Sequence, residues 1–208
     1  FTYDLLCRLN NKIASGAAVA RTMQQYTYDI CAPVHPTAVM TILGTDDSTS
    51  PYEGLVWGGE LYYVSADDMH AYWSTYNNTD SSPVEIDLPN ISSSDGSTVQ
   101  RRSWINGDNC VSVEELKVHD GGHDWPGAFG NMDIFADEEI WNFVSKHNID
   151  GLIDCESLSI IEENLTNNTK ELLKTINLLG QEVKYRNSEN GEILFKIYDD
   201  GSVEKCLN

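Results

Sequence analysis

Positive charge is scarce in this chain of 208 residues: 13 Lys and Arg stand against 33 Asp and Glu, for a formal net charge of −20. Binding along a nucleic-acid backbone relies on clustered Lys and Arg that displace counterions. The composition therefore argues against nucleic acid as a partner, and equally against an anionic membrane surface. Long apolar runs are missing too, since no stretch nears the roughly 18 apolar residues a membrane helix requires. The five cysteines, Cys7, Cys31, Cys110, Cys155 and Cys206, never stand as Cys-x-x-Cys, which speaks against a zinc or dithiol redox motif. Their odd number fits one or two disulfides and free buried thiols equally well. No basic segment followed by an apolar stretch opens the chain at Phe1, so no signal peptide is visible. What remains is 40% hydrophobic residues and a mean hydropathy of −0.37, enough for a soluble core. That length holds one medium domain and a small appendage. Four Asn-x-Ser/Thr triplets, at Asn77, Asn90, Asn164 and Asn167, are read as chance in an Asn- and Ser-rich chain.

Along the chain, Thr2 to Lys12 reads as a helix with Tyr3, Leu5, Leu6 and Leu9 on one stripe. Ile13 to Ala20 and Thr37 to Leu43 are continuous and apolar, as strands buried on both faces are. Between them Cys31 to Pro36 forms a stiff approach loop, and Gly44 to Gly59 is a long loop. Val64 to Tyr76 reads as a helix capped by Ser65, with Asp67 and Asp68 at its positive end. The polar stretch from Asn77 to Gly96 is expected to wrap the surface. Ser97 to Ile105 and Val111 to Val118 alternate and read as strands about a turn at Asn106-Gly107. Ile134 to His147 is an amphipathic helix with Ile134, Ile140, Trp141, Phe143 and Val144 on its inner face. This order predicts the C-terminal half of a doubly wound α/β sheet over residues 1–147. Residues 148–169 are acidic and Asn/Thr-rich and read as a linker. Residues 170–208 predict a small β module, with turns at Gly180, Asn190-Gly191 and Asp200-Gly201.

Two loops carry chemistry. Leu43 to Tyr52 (LGTDDSTSPY) ends a buried strand in two acids, and Gly121 to Gly127 (GGHDWPG) fixes one imidazole on a tight path. An acid after one strand and a His after a later one form the second half of a Ser-Asp-His triad in α/β-hydrolase chain order. The imidazole takes the nucleophile's proton, and a buried carboxylate holds its tautomer and steadies its charged form. Asp47 is the expected acid, with Asp46 as runner-up, and His123 the expected base. Trp125 and Tyr52 are candidate pocket walls as well as candidate packing residues. His119, Asp120, His123 and Asp124 could chelate a cation by type, but the two histidines share a face only on a helix, and Gly121-Gly122 opposes one. No metal or organic cofactor is expected. The first member of the triad is the gap, because no Gly-x-Ser-x-Gly occurs in the sequence.

Gly44-Thr45-Asp46-Asp47 with Pro51-Tyr52, and Gly121 to Gly127, resemble motifs of the secreted esterases grouped with polyhydroxybutyrate depolymerases and feruloyl or acetylxylan esterases. Tyr3 to Leu9 with Lys12-Ile13-Ala14, and then Ala17 to Ala20, resemble the helix and strand that follow that family's nucleophile elbow. Asp95 to Val99 resembles its turn before the penultimate strand. The resemblance covers about residues 1–147. It implies an α/β-hydrolase whose elbow and oxyanion-hole donors lie just before Phe1, so that this chain is a fragment inactive by itself, with an uncovered sheet edge. Leu43 stands where the family often has His, which leaves substrate preference open. Leu179 to Val183 and Ile197 to Gly201 resemble the C-terminal sorting domains of the Bacteroidetes type IX secretion system. That implies export and surface attachment or release through residues 170–208, with an ordinary β accessory domain as the other reading. The expected parent is an extracellular esterase acting on feruloyl or acetyl esters of polysaccharide, or on a hydroxyalkanoate polyester. The rivals are a non-catalytic binding protein on the same scaffold and a peptidase of the same fold.

Overall fold

The computed structural model describes residues 1–155, 172–177, 181–183, 193–199 and 203–207. The chain divides into two compact units, Phe1–Cys155 and Glu156–Asn208. The first unit therefore runs past the 147 expected from composition. The cause is local: β8 (His147–Asn148) pairs with β9 (Gly151–Leu152), and a Cys110–Cys155 disulfide ties the segment back.

The first unit is an α/β structure built on a mixed five-stranded sheet in the order β1-β2-β7-β6-β5. Its members are β1 (Ser15–Val19), β2 (Ala38–Gly44), β5 (Val84–Asp87), β6 (Thr98–Trp104) and β7 (Val113–His119). The first three in spatial order run parallel, with Ala18 opposite Thr41 and Gly44 opposite Val118. The last two are antiparallel additions, with Trp104 opposite Val113 and Val84 opposite Ser103. All seven residues of β2 are buried, as a central strand covered on both faces demands. A second ribbon, β3 (Leu55–Trp57) with β4 (Glu60–Tyr63), occupies part of the expected long loop.

Alternation along the strands splits the core in two. On one face Val39, Leu43, Val113 and Trp104 meet Tyr3 and Leu6 of α1 (Thr2–Arg8) and Met69 and Trp73 of α3 (Ala66–Tyr76). On the other, Met40, Ile42, Leu116 and Val118 meet Ile134 and Phe143, the latter on α4 (Ala136–Val144). Ser65 caps α3 as the sequence suggests: its Oγ accepts from the Asp68 N–H at 3.0 Å and donates to Asp68 Oδ2 at 2.7 Å. Trp141, expected on the inner face of α4, is 68% exposed. α1 is shorter than the Thr2–Lys12 reading and ends at Arg8. A short α2 (Gln25–Ile30) follows β1, and a Cys7–Cys31 disulfide joins its end to α1.

In the second unit β10 (Leu172–Asn177), β11 (Ile193–Tyr198) and β12 (Val203–Leu207) form an antiparallel sheet in that order. The turns expected at Gly180, Asn190-Gly191 and Asp200-Gly201, the linker beyond Cys155, and the triplets at Asn164 and Asn167 lie outside the described residues. Among the described residues no helix is long and apolar enough to cross a membrane.

Candidate active site

β2 and β7 are parallel neighbours, so their carboxyl ends open at the same edge of the sheet, where open α/β sheets place their ligands. The two loops that leave these ends are laced together by backbone. Thr45 N–H donates to Val118 O at 2.9 Å, and Asp46 N–H donates to Gly121 O at 2.9 Å. Asp120 N–H donates to Thr45 Oγ1 at 2.9 Å, with Asp120 at φ 58°. The lacing requires glycine at position 44, because a Cβ there would lie 2.3 Å from Gly121 O. The Gly44 and Gly121 of the two motifs are thus one contact seen from two sides.

Lacing these loops brings Asp47 and His123 together. Asp47 Oδ2 meets His123 Nδ1 at 2.8 Å. The other carboxylate oxygen, Oδ1, accepts from the backbone N–H groups of Thr49 at 2.8 Å and Ser50 at 2.7 Å. A carboxylate only accepts, so this contact keeps the proton of a neutral His123 on Nδ1 and leaves Nε2 with a free lone pair. The Asp47 side chain is 1% exposed and the His123 side chain 42% exposed. One end of the imidazole is therefore anchored in the protein and the other faces solvent. Among the described residues nothing hydrogen-bonds Nε2. Asp46, the runner-up acid, is exposed and joins the site only through its backbone.

Trp125 is 41% exposed, and its carbonyl closes a turn by accepting from Ala128 N–H at 3.0 Å and Phe129 N–H at 3.1 Å. Its ring is thus presented outward from an ordered loop that also exposes Phe129, Met132 and Phe135. Asp124 turns inward and accepts from Gly122 N–H at 3.0 Å. His119 stays in strand register opposite Thr98, while His123 turns to Asp47. Among the described residues no group of three or more His, Cys, Asp or Glu side chains gathers as a metal cluster would.

Of the two roles open to Tyr52, pocket wall and packing, the structure shows packing. Tyr52 is 5% exposed and belongs to the core, where its hydroxyl donates to Glu115 Oε1 at 2.7 Å. Sequence reasoning missed the network it joins. Glu115, fully buried on β7, also accepts from Arg102 Nη1 at 2.8 Å, and His70 Nδ1 lies 3.7 Å from Glu115 Oε2. Thr41 Oγ1 and His70 Nε2 share a hydrogen bond of 2.8 Å. Burial, reinforced by the Glu115 charge, pushes the Tyr52 hydroxyl pKa well up. Burial holds the His70 pKa below its ordinary value despite that same carboxylate. The missed clamp on Asp47 did have a signal, since Asp followed two and three residues later by free backbone N–H groups is the pattern of an Asx turn. No protein-family model matches this sequence, and no curated protein matches it.

Proposed function

We propose that the Asp47–His123 pair is the acid–base half of a serine hydrolase of the α/β-hydrolase type, acting on carboxylic esters. The observation that carries this reading is the asymmetry of His123: Nδ1 is held at 2.8 Å by a carboxylate with 1% exposure, while the imidazole is open to solvent. That is the arrangement a general base needs, with its tautomer fixed and its lone pair available. The nucleophile is a serine from outside these 208 residues, since the sequence holds no Gly-x-Ser-x-Gly.

In this reading His123 Nε2 removes the serine proton as Oγ attacks the ester carbonyl, and the tetrahedral intermediate forms. His123, now charged and steadied by Asp47, gives the proton to the leaving alcohol as the carbonyl re-forms. Water then resolves the acyl-enzyme by the same two proton transfers. The exposed rings of Trp125, Phe129 and Phe135 suit an apolar or aromatic acyl group such as feruloyl. We assign export to the second unit, as a type IX sorting module; the two disulfides agree with an oxidising compartment.

The test is to express these residues behind the coding sequence that precedes them and assay a p-nitrophenyl ester. Hydrolysis is expected, lost in His123→Ala and reduced by about 10⁴ in kcat in Asp47→Asn, the cost of a misheld tautomer. The 208 residues alone should not turn over above their own His123→Ala control. Activity that survives His123→Ala in the longer chain would overturn the assignment, and a longer chain with no turnover at all would leave a binding protein on this scaffold.

A further inference from the structure

A second concavity is built by residues that the acid–base pair does not use. Tyr28 of α2 and Ala71, Tyr72, Thr75 and Tyr76 of α3 line a hollow of about 390 Å³. That falls in the range of small-molecule sites, about 300–1,000 Å³. Its walls are phenol rings in a fixed arrangement. Tyr72 and Tyr76, one helical turn apart, lie nearly parallel, at 12° with centroids 6.2 Å apart. Tyr28 stands against Tyr72 at 5.4 Å and 55°.

Two of the three rings are locked before any ligand arrives. Tyr72 donates its hydroxyl hydrogen to Cys31 O at 2.9 Å, and Tyr76 donates to Pro33 O at 2.7 Å. The acceptor loop is itself tied by the Cys7–Cys31 disulfide and stiffened by Pro33 and Pro36. With their hydroxyls turned to backbone, these two rings offer carbon faces and edges to the hollow. Little rotamer freedom is left to lose on binding.

The lining contains no charged side chain, and the chain as a whole carries −20. An anion meets repulsion with no local cation to offset it, while a cation drawn by the net charge and the ring faces finds no carboxylate in the walls and gives up its hydration for ring contacts alone. An alkyl chain favours enclosure, yet Ala71 and Thr75 are exposed and the hollow is open. What fits is a neutral ring with one apolar face and a polar rim. Its C–H face lies on the tyrosines, and its hydroxyls meet water and the exposed Thr75 hydroxyl. We propose that this tyrosine hollow is a carbohydrate subsite that holds neutral pyranose units of an oligosaccharide. It does not depend on the hydrolase reading.

The test is titration of the 208-residue chain carrying His123→Ala with xylohexaose and cellohexaose, with hexagalacturonate as the anionic control, followed by amide NMR shifts. Saturable shifts at Tyr28, Tyr72 and Tyr76 with a neutral hexasaccharide, and none with hexagalacturonate, are expected. Tyr76→Ala should weaken binding about tenfold. Since that change also breaks the bond to Pro33 O, Ala71→Arg serves as the second variant: it fills the hollow from an exposed position and should abolish binding at an unchanged melting temperature. Three results would overturn the proposal: no saturable binding by either neutral sugar, binding that persists in Ala71→Arg, or self-association of the chain that Ala71→Arg removes.

Discussion

The two faces of the five-stranded sheet solve the same burial problem in different ways. Under α4 the fully buried cluster is made of apolar residues, from Met40 and Ile42 to Leu116 and Phe143, and the charged groups there, Arg101 with Glu114 and Glu139, keep to its partly exposed margin. Under α1 and α3 an apolar cluster of similar extent surrounds a buried Glu115, His70 and Thr41, with Arg102 and Tyr52 reaching in. Neighbouring residues of β7, Glu115 and Leu116, face these two environments, so a single strand carries both solutions. The apolar face is held by shape and volume, and tolerates whatever preserves them. The polar face is held by donors and acceptors that must all be present at once.

The sharpest way to break the comparison is to truncate those neighbours. Glu115→Ala takes away the acceptor of Tyr52 and the buried partner of Arg102, which keeps only the exposed Glu85 and Asp67, and should cost about 3–5 kcal/mol in urea unfolding, the loss seen when one partner of a buried pair is removed. Leu116→Ala should cost about 2–5 kcal/mol through lost burial and a cavity. The distinguishing result is the rescue. Arg102→Met added to Glu115→Leu should recover most of the loss, because an apolar replacement leaves no charge behind. Leu116→Ala has no partner whose removal would help.

A smaller effect sharpens the same contrast through α3. Ser65→Ala removes a side-chain cap and should lower stability by about 1 kcal/mol in the same assay. α4 has no side-chain cap at Phe135, so Phe135→Ala should lack that component. The gentlest probe is pH. Burial lowers the pKa of His70, and of His147 at the end of the other face, relative to the unfolded chain. Between the folded and unfolded values the unfolded state binds more protons, so the stability each contributes is complete above the ordinary histidine pKa and declines as pH falls below it. Melting temperature should therefore fall with acidification from neutral pH, and His70→Gln should flatten that slope.

Some of this was legible in the sequence and some was not, for physical reasons. The buried run Ala38–Gly44 announced a central strand because nothing but burial explains seven such residues in a row. Ser65 announced α3 because its oxygen has a defined partner, the Asp68 N–H in the first turn of the helix. The Asp47–His123 contact was legible because glycines force both loops at the ends of adjacent strands. By contrast, Val84–Asp87 is exposed throughout, and its pairing depends on β6 rather than on any pattern of its own. Glu115 was unreadable for the same reason, since a glutamate in an alternating strand looks like a surface group until Arg102 and Tyr52 are seen to meet its carboxylate, and that partner is what decides between the two roles open to Tyr52. Trp141 is the opposite case, a large ring that the helix period assigned inward and the structure leaves in water.

The Cys110–Cys155 bond has a mechanical consequence. Pull applied through the second unit enters the first at Cys155 and crosses the sulfur bridge directly to Cys110. β7, the loop that carries His123, and α4 all lie between those two cysteines, inside the covalent loop. Tension on a tethered molecule would therefore bypass the segment that carries the imidazole while the bond is intact, and would run through that segment once it is reduced.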